Sequence, residues 1–170
     1  MKWLIKGDGS FRFWWDIAII IATTYSVWKI PISLAFDPPT LHLSSMALLD
    51  AFIDFFYLMD VLVSFRTTYM DLLEGLQVTD SYKIASRYLQ GDFFIDFISS
   101  IPLDTITGVR LLNAVGILKM FRYRKLGEII RTANVNSEYK VRMKLVFVIY
   151  QSVLFMHISS ALWFIIAEQN

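Results

Sequence analysis

The chain has 170 residues and a formal net charge of +1, from 16 Lys and Arg against 15 Asp and Glu. Hydrophobic residues make up 56% and charged residues 18%, with a mean hydropathy of +0.51. An ordinary soluble domain is about half apolar and roughly a quarter charged. The balance of charge excludes an electrostatic nucleic-acid binder. The lack of cysteine excludes disulfide frameworks, thiolate zinc sites and cysteine nucleophiles. His42 and His157 alone cannot build an all-histidine metal site. The composition predicts an all-α membrane protein of about one domain, with no cofactor and no resident metal.

A helix needs roughly 20 mostly apolar residues to cross the hydrocarbon core, and five stretches qualify. The first, 13–36, carries only Asp16 and Lys29. It is not a removable signal, because Asp16 and Trp28-Lys29-Ile30-Pro31 do not form an apolar core ahead of a small-residue cleavage site. Asp37-Pro38-Pro39-Thr40 predicts a turn. The second span, 46–69, contains Asp50, Asp54, Asp60 and Arg66, with Gly75 and Asp80-Ser81 in the loop beyond. The third, from about 87 to 106, holds Asp92, Asp96 and Asp104 and stops around Pro102, and Thr107-Gly108 makes a tight turn. The fourth, 109–132, is unusually basic. An amphipathic basic connector over 133–144 leads to the fifth, 145–167, which has no Asp, Glu, Lys or Arg.

Loop charges orient the chain. Lys2, Lys6, Arg12, Arg66, Lys83, Arg87, Arg131, Lys140, Arg142 and Lys144 collect on one side, whereas loop 37–45 and residues 168–170 carry no Lys or Arg. Arg110 alone sits near the short turn before the fourth span. The positive-inside rule places the N-terminus in the cytoplasm.

An ionised side chain at mid-bilayer costs at least about 2.5–3.5 kcal/mol, so the charges within these spans must pair or face water. The basic set keeps a three-residue rhythm: Arg110, then Lys119, Arg122, Lys125 and Arg131, with Asn113, Gly116 and Glu128 in the intervening slots. On an α-helix such a series winds slowly, whereas in a 3₁₀ helix it stacks on one face. The acidic set is Asp50, Asp54 and Asp60 on the second span and Asp96 on the third. Asp50 and Asp54, one turn apart, share a face. A membrane field acts with about 2.3 kcal/mol per elementary charge per 100 mV. Three cations crossing the whole field would therefore gain about 7 kcal/mol, more than the roughly 5.5 kcal/mol that takes a two-state equilibrium from 1:99 to 99:1. The pattern predicts a voltage sensor. A static network of ion pairs, or a misplaced interfacial helix, fits the same residues.

Several motifs carry a family resemblance. The first span opens on Phe11-Arg12-Phe13-Trp14-Trp15-Asp16, and the second ends on Ser64-Phe65-Arg66-Thr67-Thr68-Tyr69. The third reads Phe94-Ile95-Asp96-Phe97-Ile98-Ser99-Ser100-Ile101-Pro102-Leu103-Asp104 after Tyr88-Leu89. The fourth gives Lys119, Arg122 and Lys125-Leu126-Gly127, and the fifth spaces His157 and Trp163 by six. Over nearly its whole length the chain resembles the first to fifth transmembrane helices of the ether-à-go-go, hyperpolarisation-activated and cyclic-nucleotide-gated group of voltage-gated cation channels.

The resemblance implies a four-helix voltage-sensor bundle over 13–132, preceded by a cytoplasmic segment 1–12 and followed by a pore-domain-like helix over 145–170. It implies that Arg110, Lys119, Arg122, Lys125 and Arg131 are gating charges. Asp60 and Asp96 with the aromatic Tyr57 would form a charge-transfer site, and Asp50 and Asp54 would hold the upper charges. It further implies a potassium-class channel in the plasma membrane, four-fold assembly, and pore-forming helices or other membrane subunits as partners besides the lipid bilayer. Asn113 and Gly116 depart from the family by leaving a neutral gap above Lys119, and Glu128 puts an acid where a cation is usual. Asp92 stands where relatives have Trp. The 170 residues hold no Thr-Val-Gly-Tyr-Gly or comparable filter run, so the expectation is a fragment or a natural short form. The alternative is a non-conducting accessory subunit that keeps a degenerate sensor fold in a larger assembly. A sensor that itself conducts protons is disfavoured by the fifth helix.

Other signals read more plainly. His157 suits a packed histidine with one hydrogen bond. Trp3, Trp14, Trp15, Trp28 and Trp163 suit an interfacial belt. Lys140, Arg142 and Lys144 fit either anionic lipid or a solvated connector. Asp50 and Asp54 could meet a divalent cation, although two carboxylates are few donors for one, and no metal site is expected. No phosphate-cradling loop or nucleophile elbow appears, so no enzyme activity is expected.

Overall fold

The computed structural model describes residues 3–36, 44–71, 75–108, 110–132 and 136–168, with backbone alone at 44–45, 104–105, 110–111, 113 and 132. The expected turn at 37–40, His42 and the side chains of Arg110, Asn113 and Asp104 lie outside the described residues.

The chain runs α1 (Ser10–Phe36), α2 (Ser44–Ser64), a two-residue hairpin of β1 (Tyr69–Met70) and β2 (Gln77–Val78), then α3 (Ser81–Gln90), α4 (Phe93–Ser100) and α5 (Leu103–Thr107). A 3₁₀ helix (Arg110–Tyr123) continues into α6 (Arg124–Thr132), and α7 (Ser137–Glu168) ends it. Among the described residues, α1 and α7 are long and apolar enough to cross a membrane by length and composition. At 1.5 Å per residue α2 also spans roughly 30 Å, and its apolar surface is interrupted by Asp50, Asp54 and Asp60.

The burial of α1 follows helical spacing. Ile19, Thr23, Ser26, Val27, Ile30 and Leu34 are buried on one face. That face receives the 3₁₀ helix, the most extensive packing in the chain, and α7 packs alongside. Ile19 meets Ile53 and Tyr57 of α2 in one apolar cluster, and Val27 meets Tyr123 and Leu154 in a second. Opposite faces leave Trp14, Ile21, Phe52, Phe55 and Leu62 exposed, as lipid-facing surfaces require.

The third predicted span is three helices. Asp80 caps α3 by accepting from the backbone N–H of Tyr82 at 3.0 Å, and Gly91 closes it by donating to the carbonyls of Arg87 and Tyr88. After α4, Ile101 is extended because Pro102 disfavours helix in the residue before it. Gly108 makes the turn beyond α5 at φ 70°, a left-handed conformation that glycine adopts freely.

The fourth span is also divided. Its first 14 residues are 3₁₀, far beyond the usual three or four. Stretching at about 2.0 Å per residue puts every third side chain on one face. That alignment lets Lys119 and Arg122 meet the acids of α2 and α4 together, so tertiary pairing overrides the poorer backbone geometry. The expected connector has no break before the fifth span, because residues 137–144 hold no Gly or Pro and join α7 as one helix.

The hairpin was not foreseen. Ile5 pairs with the chain beside it: its N–H donates to the Arg66 carbonyl at 2.8 Å, and Thr68 donates back to the Ile5 carbonyl at 2.9 Å. The segment before α1 therefore lies across the end of α2.

Candidate functional site

Tyr57 is the centre of the site. It is fully buried on α2, and its hydroxyl lies 3.1 Å from Ser26 Oγ of α1, which fixes the ring. The Lys119 ammonium stands 4.7 Å from the ring centre, and the Arg122 guanidinium carbon stands 4.1 Å from it. Two successive cations of the 3₁₀ helix thus lie against one aromatic ring, where a desolvated cation gains about 2 kcal/mol.

Carboxylates flank the ring on both sides. Lys119 Nζ donates to Asp54 at 2.9 Å. Beyond the ring, Arg122 is 1% exposed, with its Nε 3.7 Å from Asp96 and 4.0 Å from Asp60. Its Nη2 donates to the Asp96 carbonyl at 2.8 Å and to Ser100 Oγ at 2.7 Å. Lys125 Nζ donates to both oxygens of Asp60 at 2.6 Å and lies 3.5 Å from Asp16. Asp60, fully buried, also accepts from Trp15 Nε1 at 3.0 Å.

Of the predicted site residues, the fold brings together Lys119, Arg122, Lys125, Asp54, Asp60, Asp96 and Tyr57. Asp50 stands apart from that column: its described partners are Lys29 and the Tyr25 hydroxyl, both of α1. The Arg110 side chain lies outside the described residues. Arg131 is exposed near the N-terminal end of α1, and its backbone carbonyl accepts from Lys140 at 2.9 Å.

Several supporting residues escape sequence reasoning. Tyr88 donates to the Asp96 carboxylate at 3.0 Å and so orients it. Arg12 chelates Asp16 one turn along α1. Asp92, the departure from the family's Trp, pairs with Arg124. Lys29, a lone cation in an apolar run, was the available signal for a buried partner. A crevice of about 160 Å³ lined by Arg12, Tyr88, Asp92, Asp96, Arg122 and Lys125 reaches this column from the end where α1 begins. It opens beside a larger cavity of about 660 Å³ under the hairpin. Polar crevices of this kind are where intramembrane charges are tolerated.

Residues 12–169 match the Ion transport protein family. The chain belongs to that family. It is 29% identical over 181 residues to the voltage-gated inwardly rectifying potassium channel KCNH2 of Oryctolagus cuniculus, covering 99% of this chain and 15% of the relative. Potassium channel KAT4 of Oryza sativa subsp. japonica is 34% identical over 129 residues, covering 71% and 21%. Potassium channel AKT2/3 of Arabidopsis thaliana is 27% identical over 178 residues, covering 98% and 22%. The chain therefore spans less than a quarter of each of these relatives. As an ion transport protein it is an integral membrane chain of all-helical fold, and its family is that of voltage-gated cation channels.

Proposed function

We propose that this chain is the voltage-sensing segment of a voltage-gated cation channel, of the potassium class that its relatives' names carry. The observation that carries the reading is that Lys119 and Arg122 lie against buried Tyr57, with Asp54 on one side and Asp60 and Asp96 on the other. Each step of three residues replaces one cation by the next at the same ring. Displacement exchanges ion pairs instead of abandoning them, which keeps the barrier below the 3–5 kcal/mol of stranding a buried charge.

In this reading Lys119, Arg122 and Lys125 are the principal gating charges, with Arg110 and Arg131 at the two ends. The N-terminus faces the cytoplasm in the plasma membrane, and α6 with α7 pulls on pore-forming helices in a four-fold assembly. Three charges crossing the field supply about 7 kcal/mol per 100 mV. The test uses the absence of cysteine. In a Lys119→Cys variant, the rate of modification by a membrane-impermeant thiol reagent should change by an order of magnitude or more between hyperpolarised and depolarised membranes. A rate independent of voltage would point to the static scaffold of an accessory subunit.

A further inference from the structure

The 3₁₀ helix has a second working face. One residue past Arg122, a third of a turn round, Tyr123 is 3% exposed and packs between α1 and α7 with Val27 and Leu154. Its hydroxyl donates to Thr24 Oγ1 at 3.0 Å and lies 2.6 Å from the Tyr150 hydroxyl. Trp28 Nε1 donates to the Tyr150 hydroxyl at 3.1 Å, and Thr24 Oγ1 donates to the Ile20 carbonyl at 2.9 Å. Only one proton arrangement satisfies these contacts: Trp28 to Tyr150 to Tyr123 to Thr24 to Ile20. The relay starts at a group that can only donate and ends at one that can only accept, and each hydroxyl between gives one hydrogen bond and receives one. His157 steadies its origin, stacking on the Trp28 ring at 4.6 Å while Nε2 donates to the Trp28 carbonyl at 3.1 Å.

The two faces of the helix respond differently to displacement. On the cation face, a three-residue step brings Lys119 to the place of Arg122, or Lys125 as the first turn of α6 passes into 3₁₀ geometry. On the relay face, the same step brings Met120 or Leu126 to the place of Tyr123, and neither presents a hydroxyl. The step moves Tyr123 by about 6 Å, well beyond hydrogen-bond reach. We propose that Tyr123 is a register latch: its hydroxyl joins the cation-bearing helix to α1 and α7 in this one position, and displacement must release it. The inference rests on the voltage-sensor reading for its role and on the relay geometry for its existence. The latch favours the present register over its neighbours and ties the motion of the 3₁₀ helix directly to α7, alongside the covalent route through α6.

Tyr123→Phe keeps the ring and deletes the relay. At roughly 0.6–1.7 kcal/mol per interhelical hydrogen bond, the equilibrium should move about tenfold away from the present register. It would be read as a shift of the charge–voltage curve. Tyr150→Phe should move it the same way, and the double variant should match Tyr123→Phe within about twofold, because the described hydrogen bond from Tyr150 to the helix is the one to Tyr123. Tyr139→Phe, with an exposed ring, is the control. A charge–voltage curve unchanged in Tyr123→Phe, or shifted the other way, overturns the latch. Wild-type protein that moves no charge would defeat the sensor reading instead. The latch is then decided by spin labels on Phe55→Cys and Phe121→Cys, both at exposed positions, in vesicles at zero potential. A second distance that grows about tenfold on adding Tyr123→Phe supports it, and one unchanged distance overturns it.

Discussion

Arg122 and Asp96 meet twice: the guanidinium Nη2 donates to the backbone carbonyl of Asp96 at 2.8 Å, while Nε stands 3.7 Å from its carboxylate. The carbonyl is the closer partner, and it also accepts from Ser99 Oγ at 3.2 Å. Arg122 is thus held by a backbone carbonyl and by Ser100 as well as by opposite charge. Looser carboxylate contacts suit a cation that must leave. Ser100→Ala should therefore weaken the hold by about 1.5–3 kcal/mol, the range for a hydrogen bond to a charged group. It should show as a charge–voltage shift of the same sign as Asp96→Asn. Unchanged behaviour would mean that the carboxylates alone retain Arg122.

Burial separates the two inner acids by consequence. Asp60→Asn leaves Lys125 with Asp16 alone among its described partners and takes one of two described carboxylates from the fully buried Arg122, and should destabilise the fold by up to about 3–5 kcal/mol. Asp92→Asn removes only a half-exposed pair with Arg124, worth about 0–1 kcal/mol. Thermal unfolding in detergent micelles of one composition should rank them in that order, with Asp92→Asn close to the parent.

The pairing of Asp50 with Lys29 makes a prediction about the outer end. If Asp50 acts through α1, then Lys29→Gln and Asp50→Asn are non-additive, with a coupling of about 1 kcal/mol for a half-buried pair. Strict additivity in a double-mutant cycle of the charge–voltage midpoint would return Asp50 to the cations of the 3₁₀ helix.

The column of cations is visible without coordinates because charge spacing survives any helical geometry. Whether Lys119, Arg122 and Lys125 wind or stack depends on rise per residue, and that choice is made by Asp54, Asp60 and Asp96 on other helices. The pairing of Lys29 with Asp50 is hidden for the same reason, since the sequence shows two charges on different spans and no register between them. The break at Gly91 is masked by the apolar run beyond it, although glycine followed by an acid is a helix-stop signal. Strands of two residues carry no periodicity to find. The hairpin rests on the pairing of Tyr69 with Val78 and Met70 with Gln77, and the bridge from Ile5 to the chain before it is a separate contact. Family resemblance gave Tyr57 a role, whereas Trp15, Tyr88 and Ser100 entered only as motif residues, and their part in orienting the acids and the guanidinium comes from the fold.

Gly7 tests the docking of that N-terminal segment. A Cβ at this position would lie 2.3 Å from the backbone oxygen of Thr68, too close for either chain to absorb. Gly7→Ala should release the segment while leaving the helical core intact. Limited proteolysis should cut before Ser10 faster in the variant, with circular dichroism of the helices unchanged; equal cleavage rates would contradict the docking.

The central claim is that cations of the fourth span, on the 3₁₀ helix and the start of α6, move past Tyr57 under a membrane field. Voltage-clamp recording of the expressed chain, stepping the potential and integrating the transient current, measures this directly. The account predicts a saturating charge displacement that shrinks stepwise as Lys119, Arg122 and Lys125 are changed to Gln. Protein confirmed at the cell surface that moves no charge would contradict it, and would leave the ion pairs as static joints between helices.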